Sequence, residues 1–448
     1  MTILKRSFKY IFLFVFFLLV LVIFGYYNNQ FDAIWNYGYS YAISIGEIPY
    51  RDFTLLTTPL FPYVFSIGLF LFSHDNIIFL IEQALLLTLT FYFLFKIFDK
   101  KAWIMLLVMC FPLLNGIIPT YNYFAFFLIV VVIFLEKEKK SDYLVGFVLG
   151  LIFLTKQSIG VFLLLPTFLL YYKDFKKIIR RLIPFFSLCL IFLFYLVVTN
   201  SLYQFLDICV LGLFDFTNHN SVLFTPYFFL AIGMEVILFL LWRKDKKNIL
   251  YYYSFCCFSF LIPIFTGYHF VLYFISFMLS IIPFISLPDY YSKWFSIIFS
   301  FGIAIFNFLA IYSGTQTTFL QGVNNFKYYL VLEGTDKTFY KTVELYDKYR
   351  TKEKSPIFLG TQSIYFTIIN EERLDYFDIL NRGNYGYNGT EKMINKVKKM
   401  DNQIFIINMD KYKDASSVDQ LDTEIIKYVI KHSKKIDSWD CYDVYLKE

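Results

Sequence analysis

Four ionisable side chains lie close together directly after the first apolar run of the chain. They are Asp32, Glu47, Arg51 and Asp52, and tyrosines and a tryptophan surround them. A carboxylate in a partly desolvated place has a raised pKa and is a better general base, while a guanidinium holds a phosphate through two parallel hydrogen bonds. The stretch therefore contains carboxylates that could remove a proton and a guanidinium that could bind an anion beside them. The same composition also suits an amphipathic anchor at a membrane surface, and residues further along the chain favour the functional interpretation.

A short helix is predicted to position these side chains. Apolar residues recur at helical spacing from Ile34 to Ile45. Gly46 ends this helix, and Pro49 prevents another from starting at once. Asp32 is therefore expected near the start of this helix, and Glu47, Arg51 and Asp52 are expected on the loop that follows it.

The composition is that of a polytopic membrane protein. Hydrophobic residues make up 58% of the chain, charged residues 17%, and the mean hydropathy is +0.55. The six cysteines show neither metal-type spacing nor a disulfide framework. The apolar run at 8–27 is followed by no small-residue cleavage site, so it is interpreted as a retained span. The net charge of +6 does not indicate nucleic-acid binding, because the basic residues lie where cytoplasmic loops are expected.

The distribution of basic residues predicts the topology. The apolar segment at 60–73 is too short to cross comfortably and contains Pro62 and Gly68. If it crossed, Lys96 and its basic neighbours would fall outside. If it lies in the outer interface, 19 of the 21 Lys and Arg in residues 1–313 fall in the cytoplasm. This arrangement predicts about eleven spans, with the N-terminus inside and the C-terminus outside.

The two basic residues left outside, Arg51 and Lys156, share that face with many polar side chains. A lone histidine at a span end is more often structural, and a lysine at a boundary often extends to the interface. Boundary and intramembrane charges are nevertheless costly and tend to mark function. The gathering on one face therefore indicates a site. Its other predicted members are Asp32, Glu47, Asp52, Tyr121, Asn122, Gln157, His219, Tyr268 and His269.

The last 134 residues, 315–448, have a different character, with charged and alternating sequence. Buried strands are predicted at 356–360 and 403–408, and helices at 338–352 and 420–432. A small α/β domain outside the membrane is therefore expected after a transmembrane domain of residues 1–314, whose outer loop spans 28–75.

Several of these motifs resemble those of GT-C membrane glycosyltransferases, in the bacterial branch related to protein mannosyltransferases, lipid A aminoarabinose transferases and rhizobial lipopolysaccharide transferases. The most specific is Ser-Ile-Gly-Glu-Ile-Pro-Tyr-Arg-Asp-Phe at 44–53, after which Thr-Pro-Leu at 58–60 is similar to a Pro-Pro-Leu element. Pro-Thr-Tyr-Asn at 119–122 looks like a second outer motif. Gly-Leu-Ile-Phe-Leu-Thr-Lys at 150–156 is similar to a recurrent family element, and Tyr-His at 268–269 to a weaker late one.

The resemblance implies an enzyme that takes a sugar from a polyprenyl-phosphate carrier and attaches it to a cell-envelope acceptor. Asp32 matches the catalytic acidic position of the family. The chain departs from the family at Ala33, a site that is often acidic, and at Asn122, where many relatives have Asp. A second acid therefore stays open between Glu47 and Asp52.

The phosphate leaving group of such a reaction needs fixed positive partners. Arg51 and Lys156 are the predicted phosphate ligands, and His269 would assist. The wider set predicted to bind the donor adds Tyr121, Asn122, Gln157 and Tyr268. No cofactor is implied, and no pattern supports a divalent metal. The predicted partners are the lipid-linked donor, an envelope glycan or lipid acceptor and the bilayer, in the cell membrane of a bacterium.

Two other classes of function stay open. A transporter of lipid-linked sugars would use the same outer charges, with Glu82 and Glu235 as proton-coupling candidates. The sequence shows no inverted repeat with paired broken spans, which favours an enzyme. A non-catalytic partner in envelope assembly would use the C-terminal domain for interaction.

Overall fold

The structure is a computed structural model. It describes residues 2–25, 31–114, 119–220, 225–262, 267–285, 296–298, 302, 344–351, 354–360, 363–369, 372–413 and 421–448. The side chains of Asp32 and His219 lie outside the described part. The predicted domain boundary at 314/315 and most of the last apolar segment, residues 294–313, lie outside it as well.

The apolar runs of the first 285 residues form a helical bundle. Its helices are α1 (Thr2–Gly25), α2 (Phe31–Ser44), α3 (Leu60–Leu71), α4 (Asn76–Phe98), α5 (Ala102–Leu114), α6 (Tyr121–Lys137), α7 (Asp142–Thr155), α8 (Gln157–Phe162), α9 (Leu165–Tyr171), α10 (Phe175–Val198), α11 (Leu202–Leu206), α12 (Gly212–Asn220), α13 (Pro226–Lys244), α14 (Ile249–Cys256) and α15 (Gly267–Ile281). Short 3₁₀ turns at Asp99–Lys101, Cys257–Leu261 and Ile282–Phe284 and a π-helical turn at Asp207–Leu211 connect or extend them. The predicted helix at 34–45 is confirmed, and Gly46, with φ +91°, follows its end.

Several helices have the length and composition of membrane spans. Within the described part four stretches are long and apolar enough to cross a bilayer: Asn76–Cys110, Phe175–Val198, Pro226–Lys244 and Gly267–Phe284. Five shorter apolar helices accompany them. Large apolar side chains such as Leu190, Phe194 and Phe229 are mostly exposed on α10 and α13, as lipid contact requires. The predicted polytopic membrane protein is thus confirmed, and the number of eleven spans stays a prediction.

One end of the bundle collects the basic connections, and we call it the basic end. Lys137, at the end of α6, donates to the carbonyl of Ile97 near the end of α4. Arg181 of α10 is buried and binds both Glu136 and Asp142, which flank the α6–α7 connection. Because a buried guanidinium is stable only when its donors are paired, this network fixes α6, α7 and α10 at that end.

The opposite end, called the loop end, carries the loop of residues 45–59. The Thr58 hydroxyl donates to the Phe153 carbonyl near the end of α7 at 2.6 Å. After α3, the carbonyl of His74 accepts from Tyr37 of α2. Both ends of α3 therefore lie at the loop end. Its 12 residues span about 18 Å, short of the roughly 30 Å of a hydrocarbon core.

The C-terminal residues form a small α/β domain around a four-stranded sheet in the order β1-β2-β4-β3. Strand β1 is parallel to β2, and β4 is antiparallel to both β2 and β3. The predicted strands are confirmed in type, and so are the predicted helices over their described parts, while residues 338–343, 352 and 420 lie outside the described residues. The hairpin β3–β4 was not predicted. The elements are β1 (Ile357–Leu359), α16 (Ser363–Ile369), α17 (Gly389–Lys398), β2 (Gln403–Asn408), α18 (Met409–Lys413), α19 (Thr423–His432), β3 (Lys434–Trp439) and β4 (Tyr442–Lys447), with residues 344–349 also helical.

The relation between the two ends predicts a labelling pattern. Phe175 begins α10 at the basic end and is 71% exposed, whereas Lys399 is exposed in the C-terminal domain. Because basic residues stay in the cytoplasm, we expect a membrane-impermeant thiol reagent to label Lys399→Cys on intact cells and Phe175→Cys only after permeabilisation. Both variants are made in a background without native cysteines. Labelling of both from the same side would contradict the predicted topology.

Candidate functional site

The loop between α2 and α3 contains a tyrosine in an unusual backbone conformation. Tyr50 has φ +69°, which is costly for a bulky side chain, and it is fully buried. Its N–H donates to the carbonyl of Phe53 at 2.9 Å, and its hydroxyl donates to the carbonyl of Thr57 at 2.7 Å. Its own carbonyl accepts from the hydroxyl of Tyr376 in the C-terminal domain at 2.7 Å. Three hydrogen bonds thus hold the strained residue from inside and outside the loop.

Asp52 is paired within this loop. Its carboxylate accepts from Arg51 Nε and Nη2, both at 2.8 Å, and from the N–H of Ile48 at 2.8 Å. The hydrogen bonds from Arg51 lower the pKa of Asp52 below its ordinary value, against the effect of burial. A carboxylate that is held ionised and already paired accepts a further proton poorly. Of Glu47 and Asp52, between which the sequence leaves a second acid open, Asp52 is therefore the weaker base.

Glu47 lies in a different environment only a few residues away. It is buried, and its Oε2 accepts from the N–H of Leu374 at 3.0 Å. Burial raises the pKa of Glu47 to about 7, Asp52 adds to the rise, and the Leu374 hydrogen bond opposes it. A pKa near neutrality is what a general base needs.

The C-terminal domain packs against the loop end at further points. Helix α16 contacts α2 so closely that a Cβ on Gly38 would lie 2.4 Å from Ile364 Cδ1. Lys392 of α17 binds Asp207, after α11, at 2.6 Å. The loop that carries Glu47 is therefore covered by the C-terminal domain.

A second group of predicted residues surrounds the Lys156 ammonium, and we call it the lysine cluster. Lys156 lies between α7 and α8 in extended conformation and is 8% exposed. Its Nζ donates to Asn122 Oδ1 at 3.0 Å and lies 5.6 Å from the ring centroid of Tyr121 and 5.9 Å from that of Phe260. His269 is an electrostatic neighbour. The amide of Asn122 is uncharged, so it positions the ammonium group without neutralising it.

Two other predicted residues tie this cluster to its surroundings. Tyr268 shares a hydrogen bond with Thr120, two residues before Asn122. Gln157 donates from Nε2 to the carbonyl of Leu56 at 3.1 Å, which links the lysine cluster to the loop. The structure thus brings six predicted residues together: Tyr121, Asn122, Lys156, Gln157, Tyr268 and His269.

Arg51 belongs to the other group, where it is paired with Asp52. Phe260, Leu374 and Tyr376 were missed by the sequence analysis, because Phe260 lies in an aromatic run and the other two act from a distant domain. Among the described residues, no group of three or more His, Cys, Asp or Glu suits a metal ion.

Comparison with known proteins gives one clear result. No family model matches the sequence, and no curated protein matches it significantly. The structure is similar to that of ArnT from Cupriavidus metallidurans, solved bound to undecaprenyl phosphate, with a TM-score of 0.56, 12% sequence identity and 98% of each chain covered. The chain has a GT-C fold. The predicted resemblance is therefore confirmed at the level of the fold, and the likeness extends over the C-terminal domain.

The buried carboxyl of Glu47 predicts a pH dependence of stability. Folding raises its pKa from the ordinary value of 4.5 to about 7. The stabilising contribution of the protonated group is therefore complete below pH 4.5 and lost as the pH rises through about 7. Because glutamine is a neutral substitute that can still accept from Leu374, we expect the melting temperature of Glu47→Gln, relative to the parent, to increase from pH 5 to pH 8.

Glu391→Gln is the matched control, since it removes the same charge from an exposed side chain of the C-terminal domain. Its melting temperature should keep a constant difference from the parent. A constant difference for Glu47→Gln as well would show that the Glu47 carboxyl is not desolvated.

Proposed function

We propose that this GT-C protein is a glycosyltransferase that moves a sugar from a polyprenyl-phosphate carrier to a cell-envelope acceptor. The observation that carries the proposal is the GT-C fold over 98% of the chain, shared with a protein solved bound to undecaprenyl phosphate. The lysine cluster supports it, because a positioned cation at one end of an apolar bundle suits a phosphate on a lipid tail. The acceptor is a wall polymer, lipid or glycan.

Lys156 binds the donor phosphate in this proposal. When the bond between the sugar and the phosphate breaks, its electron pair goes to the phosphate oxygen. An ammonium group already fixed by Asn122 and shielded from water stabilises that charge more than an exposed one would. Arg51 is exposed and bidentate to Asp52, so the phosphate must compete for it. Arg51 therefore makes the weaker contact.

Asp32 is the general base in this proposal, on the strength of the family resemblance and of its place at the start of α2. The carboxylate takes the proton of the acceptor hydroxyl while the hydroxyl oxygen forms a bond to the anomeric carbon. If a second carboxylate takes part, the pKa of about 7 favours Glu47 over Asp52.

The proposal also assigns the sides of the membrane. The basic end faces the cytoplasm, together with the N-terminus, since positive residues are retained there. The loop end and the C-terminal domain (residues 315–448) then face the outside of a bacterial cytoplasmic membrane. Donor and acceptor meet at that face.

A transporter of lipid-linked sugars is the second candidate. Glu82 of α4 accepts from the Gly68 N–H at 3.0 Å, and Glu235 of α13 accepts from the Tyr273 hydroxyl at 2.7 Å. The other carboxylate oxygen of each has no hydrogen-bond partner in the described part of the chain, which suits a proton carrier. Movement of a fluorescent lipid-linked sugar across proteoliposomes without an acceptor would favour this candidate.

The unequal environments of the two cations predict unequal effects of their removal. Lys156→Ala should weaken binding of polyprenyl phosphate by roughly 1.5–3 kcal/mol, the value of a charge-assisted hydrogen bond. Arg51→Ala should weaken it less, because that guanidinium is exposed and engaged by Asp52. Titration of both purified variants with polyprenyl phosphate measures the difference. If Arg51→Ala weakened binding as much as Lys156→Ala or more, the phosphate-binding site would have to be assigned to the loop that carries Arg51.

Asp32→Asn tests the catalytic base. The amide keeps the shape of the side chain and removes its basicity, so transfer should slow by about 10²–10⁴-fold. Binding of polyprenyl phosphate should change little, because its phosphate contacts Lys156. Glu47→Gln and Asp52→Asn are measured beside it with the same donor and acceptor. Parental turnover in Asp32→Asn together with loss in Glu47→Gln would move the assignment to Glu47, and activity in all three would remove the chemical basis of the proposal.

A further inference from the structure

A buried glutamine beside the lysine cluster has an open hydrogen-bonding atom. Gln83 of α4 is 0% exposed, and its Nε2 donates to the carbonyl of Pro119 at 2.6 Å. Its Oε1 has no hydrogen-bond partner within the part of the chain that the structure describes. Leaving a buried amide oxygen unpaired costs free energy, so the open atom requires an explanation.

Two other side-chain amides in the same region also have one atom that is hydrogen-bonded and one that is not. Asn122 is 0% exposed and binds Lys156 through Oδ1, while its Nδ2 finds no partner among the described residues. Gln157 binds the loop through Nε2, and its buried Oε1 is likewise open there. Each amide is fixed by one atom and presents the other.

The three amides lie within a small volume. Gln83 is bonded at Pro119, and Asn122 is only three residues further along the chain, so the Cα atoms of those two positions are at most roughly 11 Å apart. Asn122 contacts Lys156, and Gln157 is the next residue. The three residues therefore lie in the neighbourhood of the ammonium group, on α4, at the start of α6 and at the α7–α8 junction.

The polarity of the open atoms indicates what they bind. A phosphate offers only acceptors, which suits Lys156 Nζ and Asn122 Nδ2. The oxygens of Gln83 and Gln157 need donors instead, and a phosphate has none to give when ionised. Hydroxyl or amino groups attached close to a phosphate would complete both sets, and a phosphate-linked sugar has that composition.

We infer that Gln83, together with Gln157, binds hydroxyl or amino groups of the donor sugar and selects which sugar is accepted. The inference rests on the proposed function and extends it from the phosphate to the sugar. A buried amide that must be satisfied by a substrate hydroxyl discriminates strongly against a substrate that lacks it, because the amide is then left unpaired. Gln83 is thus a specificity-determining residue, while Lys156 serves every donor alike.

The test compares two kinds of lipid on the purified full-length protein. One probe is polyprenyl phosphate. The others are polyprenyl phosphates linked to glucose, mannose, galactose and arabinose. The variants are Gln83→Leu and, as a second apolar replacement of similar length, Gln83→Met. Thr90→Val is the matched control, since Thr90 is buried two turns further along α4 and its hydroxyl already donates to the Leu86 carbonyl at 2.8 Å.

We expect the parent to bind at least one sugar-linked probe more tightly than polyprenyl phosphate. Gln83→Leu and Gln83→Met should weaken that binding roughly tenfold or more and leave the affinity for polyprenyl phosphate within about twofold. Thr90→Val should change neither. Retained binding of polyprenyl phosphate also shows that each variant is folded, and a melting curve confirms it.

Three results would overturn the inference. Sugar-linked probes bound equally by the parent and both Gln83 variants would mean that the open oxygen only holds a water molecule. No preference of the parent for any sugar-linked probe would mean that the amides recognise no sugar. Failure of the parent to bind polyprenyl phosphate itself would defeat the proposed function as well, and this result is distinct from the other two.

Discussion

A positive charge kept out of water at one end of an apolar bundle is the constraint on which the arrangement depends. An ammonium group is stable there only when polar atoms and aromatic faces surround it. The start of α6 therefore has to lie against the end of α7, so that Asn122 and Tyr121 meet Lys156. The break between α7 and α8 at Lys156 turns the chain back, and Gln157 then holds the loop in place.

The environment of Glu47 comes from a part of the chain that lies more than 300 residues away in sequence. Leu374 contributes a backbone N–H, and Tyr376 binds a backbone carbonyl of the loop. The C-terminal domain thus holds the loop largely through main-chain groups. Glu47 and Asp52 have opposite pKa shifts although five positions separate them, because one is desolvated and the other is bound by Arg51. Such contrasts between neighbouring carboxylates are typical of sites that divide acid and base roles.

Local patterns were sufficient to predict much of the fold. Helical spacing before Gly46 predicted α2, and the apolar strand at 403–408 was predicted with its observed bounds. The hairpin β3–β4 was missed because most side chains of β3 are exposed or half-buried, so the strand lacks a clear alternating apolar face. The gathering of Asn122, Lys156 and Tyr268 could be predicted because each lies at a helix end and topology brings those ends together.

Other features of the site could not be predicted from sequence. Nothing near Gln83 distinguishes it from a tolerated polar residue in an apolar run, and only the bond to Pro119 places it beside the lysine cluster. The pairing of Arg51 with its own neighbour, rather than with a group across the site, depends on rotamers and on the turn that Tyr50 makes. Burial of Glu47 depends on a tertiary contact that no local pattern contains.

The contact between Tyr376 and Tyr50 also sets the order in which the protein can mature. A ribosome makes the loop well before its partner, since 326 positions separate the two residues. A nascent chain can already contain Lys156 and α1–α15 before Tyr376, whose hydroxyl donates to the Tyr50 carbonyl, has been synthesised. The loop therefore reaches its final geometry only after Tyr376 has left the ribosome and the C-terminal domain has folded. Folding of the C-terminal domain is in this way built into the assembly of the site.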